Sequence, residues 1–184
     1  MRVVRLAPLY LPPADYFRAM ALADLAVIDV SLRFDKRYKA VHRTRISSGE
    51  STSFLTVPIS LEHSSCEPKR YADALVSPHG EWWRVQRMTL ATLFGPTPFF
   101  DLFRHDIFPS IDVEAVGRSI VDLDIDLIIA LRKLCRINTP MSVVLDPRIK
   151  EDPDVEIIDM VYHDFYKDPE AVSIIETLFK RGAL

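Results

Sequence analysis

A chain of 184 residues, nearly half of them apolar and about a quarter charged, suits one globular domain able to bury roughly two thirds of its unfolded surface. A formal net charge of −3 argues against a nucleic-acid protein, and no run approaches the roughly 18 apolar residues of a membrane span. The N-terminus lacks the apolar core and small-residue cleavage site of a signal peptide, and Cys66 and Cys135 are far apart without metal-like spacing, so a reduced, cytoplasmic protein is expected.

Thirteen prolines against five glycines leave little room for a glycine-rich phosphate cradle, and no dinucleotide, P-loop or nucleophile-elbow glycine motif occurs. Val3–Leu6 reads as a short buried strand. Pro12 and Pro13 preset the first turn of a helix from about Ala14 to Ala23, with Phe17, Met20 and Ala21 inward. Leu25–Val30 is too short for a helix and too apolar for the surface, so a second strand and a parallel βαβ opening follow. Ligands in such sheets sit beyond the carboxyl ends of the strands, where Asp29 falls; as an alternative, Asp29 caps a turn or pairs with a lysine.

Ser31–Ala40 is a basic connector, a solvated face by default. Val41–Ser60, VHRTRISSGESTSFLTVPIS, reads as two strands around a polar turn at Ser47–Ser51. The period of two puts Arg43 and Arg45 on one face, and two guanidinium forks side by side suit carboxylate or phosphate oxygens. Pro58 ends the second strand or confines it to an edge. Ser60–Pro78 is expected as a surface loop or lid with a strand-like piece at Asp73–Val76.

His79–Phe94 is predicted as a helix stopped by Gly95, with Trp83, Leu90 and Phe94 on one face, Arg87 on that stripe and Trp82 beside it. A second helix is predicted from Thr97-Pro98 to about Arg104. The longest runs from Asp112 to about Cys135. On it Val116, Ile120, Leu123, Leu127, Leu131 and Leu134 share a stripe within about 60° of its centre, and Asp124 lies only about 40° off at roughly 100° per residue. An acid on a packing face must be paired or neutralised, either in a structural salt bridge or as a site residue held by an arginine. Asp122 and Asp126 face solvent, so the alternating aspartates do not form a metal loop.

Ser142–Leu145 is predicted as a strand, Pro147–Pro153 as loop, and Val155–Phe165 as either helix or strand. The last helix is bounded by Asp168 as N-cap, Pro169 at N1, and Gly182 after Lys180 and Arg181. The expected fold is a single α/β domain with a short mixed or mostly parallel sheet flanked by helices.

No histidine pair has metal spacing, so neither a metal nor another cofactor is expected. His63 beside Ser64, Ser65 and Cys66 is a poor triad, since adjacent residues seldom converge. His42 abuts Arg43 and could act as a general base if its pKa is lowered; as an alternative it is a surface histidine at a strand start.

The order PLYLPPADYF, ADLAVIDV, HRTRI with FLTVPIS, WWRVQRMTLATLFGPTPFF, RINTP and SIIETLFKRG, spread over nearly the whole chain, resembles the WbqC-like family. That resemblance implies a bacterial surface-polysaccharide or O-antigen pathway, and transfer of glycine or a related acyl group to a sugar. Carried over residue by residue, the arginines, Asp29 and Trp82 match the family. His42 stands for its asparagine before the strand, Gln86 for the histidine one turn after the tryptophan, and Asp124 for the asparagine of the long helix. Glu176 and Lys180 replace the aspartate and asparagine of the tail, and the chain is shorter between RINTP and that tail.

The expected site therefore has Arg43 and Arg45 binding an anion such as a sugar-nucleotide phosphate. His42, Asp29, Asp124 and Glu176 act on the acceptor, and Trp82, with Tyr16, contacts the sugar. A homodimer is compatible with this reading. The replaced polar positions favour a second reading, a diverged non-catalytic binding or assembly protein. A third makes Arg43, Arg45, Asp124 and Glu176 an internal salt-bridge network.

Overall fold

The protein's computed structural model describes residues 1–48, 51–61, 69–145, 154–165, 167 and 171–183. Strand β1 (Arg2–Leu6), helix α1 (Ala14–Ala21) and strand β2 (Leu25–Asp29) form the expected βαβ unit, its strands parallel with Val3 opposite Leu25 and Leu6 opposite Ile28. The chain continues through β3 (Arg43–Ser48) and β4 (Ser51–Thr56), then β5 (Ile59–Ser60) and β6 (Leu75–Val76). Helices α2 (Trp82–Phe94), α3 (Phe100–Ile107) and α4 (Ile120–Leu134) come next, followed by β7 (Met141–Val144), β8 (Glu156–Met160) and α5 (Ile174–Arg181).

The main sheet has the order β7-β2-β1-β8 and every described pairing in it is parallel. Its central strands carry VVRL and LAVID, apolar runs that suit burial, whereas the edge strand β8 reads EIIDM and is largely exposed. That mixture is compatible with helix or strand over 155–165; in the fold Glu156–Met160 is a strand because β1 supplies a partner. Val4, Leu6, Ala26 and Ile28 join Phe17, Met20, Leu123, Leu127 and Leu131 in one contiguous core. Two small antiparallel pairs, β3–β4 and β5–β6, complete the α/β fold.

Several boundaries differ from expectation. The longest helix begins at Ile120, not Asp112, because Gly117 takes φ 83° and Ser119 caps the new start, its hydroxyl accepting from the Val121 amide at 3.2 Å. Upstream, only a short turn of 3₁₀-helix forms at Val113–Ala115. Likewise His79–Glu81 is a separate 3₁₀ turn, since Gly80 and Glu81 adopt φ 71° and 45°. The buried stripe of α2 keeps Leu90 and Phe94 as expected, but Trp82 and Gln86 take the places expected for Trp83 and Arg87. Gly95 stays in the right-handed region at φ −51°, and α3 starts at Phe100 rather than Pro98.

The described part of the 60–78 segment is not a lid, for Tyr71, Ala74 and Val76 are buried and β6 pairs with β5. Helix α5 starts after Ser173 and ends as expected on Gly182 at φ 75°. The expected cap at Asp168 and Pro169, the residues from His63 to Cys66 and the loop Pro147–Pro153 lie outside the described residues.

Candidate functional site

The β3–β4 hairpin is sided by the strand period. Thr44 and Ile46 are fully buried, while Arg43 and Arg45, opposite Thr56 and Phe54, face a cleft of about 450 Å³. Leu9, just past β1, and Tyr162, His163, Asp164 and Phe165, just past β8, line the same cleft. It therefore opens at the carboxyl ends of parallel strands, as expected for ligand sites of such sheets. Tyr38 and Lys39 complete the wall beneath β3.

The two arginines are held differently. Arg43 donates from Nε to Thr56 Oγ1 at 2.9 Å, and its guanidinium lies over the Phe54 ring, 5.1 Å from the centroid. No carboxylate among the described residues pairs with it. Arg45 donates from Nε to the Ala171 carbonyl at 2.9 Å and again from a terminal nitrogen, so its fork also ties β3 to the segment before α5. That segment is bound further: the Ser173 amide donates to the Arg45 carbonyl at 3.1 Å, and the Ser173 and Thr44 hydroxyls donate to the Leu11 carbonyl at 2.9 and 2.8 Å.

Glu176 reinforces the clamp. Its buried carboxylate accepts from the Ser47 amide at 3.1 Å, the Ser47 hydroxyl at 2.8 Å and Lys180 Nζ at 2.6 Å. It lines a separate cavity, between α1 and α5, rather than the arginine cleft. Asp124 is fully buried on α4, and neither carboxyl oxygen has a hydrogen-bond partner. Burial raises its pKa well above the ordinary carboxylate value. Neither acid pairs with the arginines, so the internal network of those four residues does not form.

Asp29 is buried at the end of β2, where it pairs with Arg5 at 2.5 Å and accepts from the Ser31 amide and hydroxyl at 2.8 and 2.6 Å. Tyr16 is fully buried and its hydroxyl donates to the Ala7 carbonyl at 2.8 Å. Trp82 is buried on α2, packed edge-on against Trp83. One turn on, Gln86 accepts from Tyr10 Oη at 2.6 Å and donates to the Thr56 carbonyl at 3.1 Å. His42 is half-buried with Nδ1 3.3 Å from the Val57 carbonyl; burial first, then Arg43 and Lys39, lowers its pKa.

Of the sequence-predicted residues, then, Arg43 and Arg45 line one cleft, and His42, Asp29, Asp124, Glu176, Tyr16 and Trp82 do not. Sequence reasoning missed Tyr38, Tyr162, His163 and Phe165. Their signal was available: they flank the hairpin or follow an apolar run, and the end of a parallel strand is where a site is built. Tyr38 donates to the Val161 carbonyl at 2.9 Å and meets the Tyr162 ring edge-on at 5.6 Å. His163 meets Phe165 edge-on at 4.6 Å.

Among the described residues no group of three or more His, Cys, Asp or Glu side chains is placed to hold a metal ion. No helix among them is long and apolar enough to cross a membrane. A model described as the WbqC-like protein family matches residues 7–181. No curated protein and no solved structure matches the chain.

Proposed function

The chain belongs to the WbqC-like family, and from that premise we propose that it is a group transferase holding the anionic part of a substrate in the arginine cleft. Arg43 carries the reading. A half-buried guanidinium, braced by Thr56 and Phe54 and without a carboxylate partner among the described residues, is pre-ordered for an incoming anion. Lys39 and Arg45 add positive field in the same cleft.

Transfer of an aminoacyl or acyl group to a sugar or sugar nucleotide, in surface-polysaccharide synthesis, is the form this reading takes. His163, in the cleft wall, is the acid–base group for the acceptor. Glu176 acts at one remove by fixing β3 through Ser47, and Asp29 by anchoring the end of β2.

Titration with inorganic pyrophosphate tests the grip. Arg43→Ala is expected to weaken binding about tenfold or more, the loss of a charge-assisted hydrogen bond; unchanged affinity overturns the reading. A second reading, a binding or assembly protein without turnover, is favoured by the position of Asp29, Asp124 and Glu176 outside the cleft. Mass spectrometry of an amino sugar incubated with an activated acyl donor separates the two. Acylation that falls in His163→Gln, with pyrophosphate affinity kept, supports the transferase; binding without any acylation supports the second.

A further inference from the structure

Resting on the anion-grip reading, we infer that the cleft takes a nucleoside diphosphate, the base against its aromatic rim and the phosphates on its basic floor. Two observations point to a flat ring. Phe54 is 57 % exposed and Tyr162 is 64 % exposed, and both line the one cleft, Phe54 from β4 and Tyr162 from the loop after β8. Single exposed aromatic side chains are ordinary, but two directed into the same concavity leave π-faces available to a ligand. Arg43 extends that platform, because its guanidinium already lies over the Phe54 ring and such planes stack on bases.

The phosphate count follows from charge. Arg37, Lys39, Arg43 and Arg45 line the cleft together with one carboxylate, Asp164; Arg37 is paired with Asp35 at 3.0 Å and Arg45 donates to the Ala171 carbonyl. Lys39 and Arg43 come from the turn before β3 and from β3 itself, so positive charge is spread along the wall rather than gathered at one point. A distributed basic wall suits a diphosphate better than a single carboxylate. The cleft volume of about 450 Å³ lies within the range of small-molecule sites, about 300–1,000 Å³. A sugar nucleotide and an adenine-bearing acyl carrier share this base-plus-diphosphate chemistry.

Calorimetric titration of the full chain with pyrophosphate, uridine, UDP and ADP tests the inference. At least one of UDP and ADP is expected to bind about tenfold or more tighter than pyrophosphate, the contribution of one stacked base. Tyr162→Ala, with Tyr162→Leu as the second variant, should remove most of that advantage and leave pyrophosphate affinity nearly unchanged. Arg43→Ala should weaken every phosphate-bearing ligand. A preference for UDP assigns the site to a sugar nucleotide, and a preference for ADP to an adenine-bearing acyl carrier. UDP and ADP binding no tighter than pyrophosphate overturns the base contact while leaving the anion grip standing. No binding of pyrophosphate, UDP or ADP overturns both.

Discussion

Arg43 and Arg45 stand two positions apart on one strand and are held by different contacts. Arg45 spends part of its fork on the Ala171 carbonyl, so Arg45→Ala should lower thermal stability more than it lowers pyrophosphate affinity, the reverse of Arg43→Ala. Thermal melts and titrations on both variants would separate the roles; equal losses of affinity would mean both forks meet the anion. Asp124 supplies a second residue-level test. Its folded pKa lies above the unfolded one, so its contribution to stability is complete below about pH 4 and declines as pH rises toward the folded pKa, by about 1.4 kcal/mol per unit. Asp124→Asn should flatten that decline and be more stable than the wild type at pH 7, as read from urea midpoints across pH. An unaltered slope would mean the acid is ionised in the fold.

At the scale of elements, the hairpin is positioned from outside itself. Helix α5 holds β3 by Glu176 on Ser47, and the residues before it add Ser173 and Ala171, so the arginines face the cleft because a distant segment fixes their strand. Glu176→Ala should cost about 2 kcal/mol and speed hydrogen exchange at the Ser47 amide, leaving β1 and β2 amides protected. Protection unchanged at Ser47 would show that the clamp does not depend on this acid. The far end of α5 is equally constrained. Gly182 has φ 75°, and an added Cβ would stand 2.8 Å from the Phe99 ring, so Gly182→Ala should destabilise by about 1–3 kcal/mol in urea titrations.

Across the whole molecule, Arg5 links three neighbouring strands, pairing with Asp29 of β2 at 2.5 Å and Asp159 of β8 at 2.7 Å. Asp29 is 2 % exposed and Arg5 about a quarter exposed, so removal of the cation leaves a buried acid with only Ser31 as donor among the described residues. Arg5→Leu should therefore cost about 3 kcal/mol of unfolding free energy, and Arg5→Leu with Asp29→Leu should recover part of it. A double variant no better than the single would place the cost in packing rather than in charge. Because the segments that follow β1 and β8 line the cleft, loosening this link should also blur the site.

The βαβ opening, the arginine-bearing hairpin, the burial of Asp124 and the family are legible in the residues alone, because those rest on local periodicity and on the order of short motifs. The helix starts were misread where a single glycine, Gly80 or Gly117, broke a pattern that apolar spacing carried on. Which acids would reach the arginines was decided only by tertiary structure. Glu176 is 131 positions from Arg45 in the chain and ends on Ser47 instead, while Tyr162 and His163 enter the cleft because β8 pairs with β1. Side-chain period fixes the face a residue takes on its own element; what stands opposite that face depends on strand order, and strand order is a property of the assembled sheet.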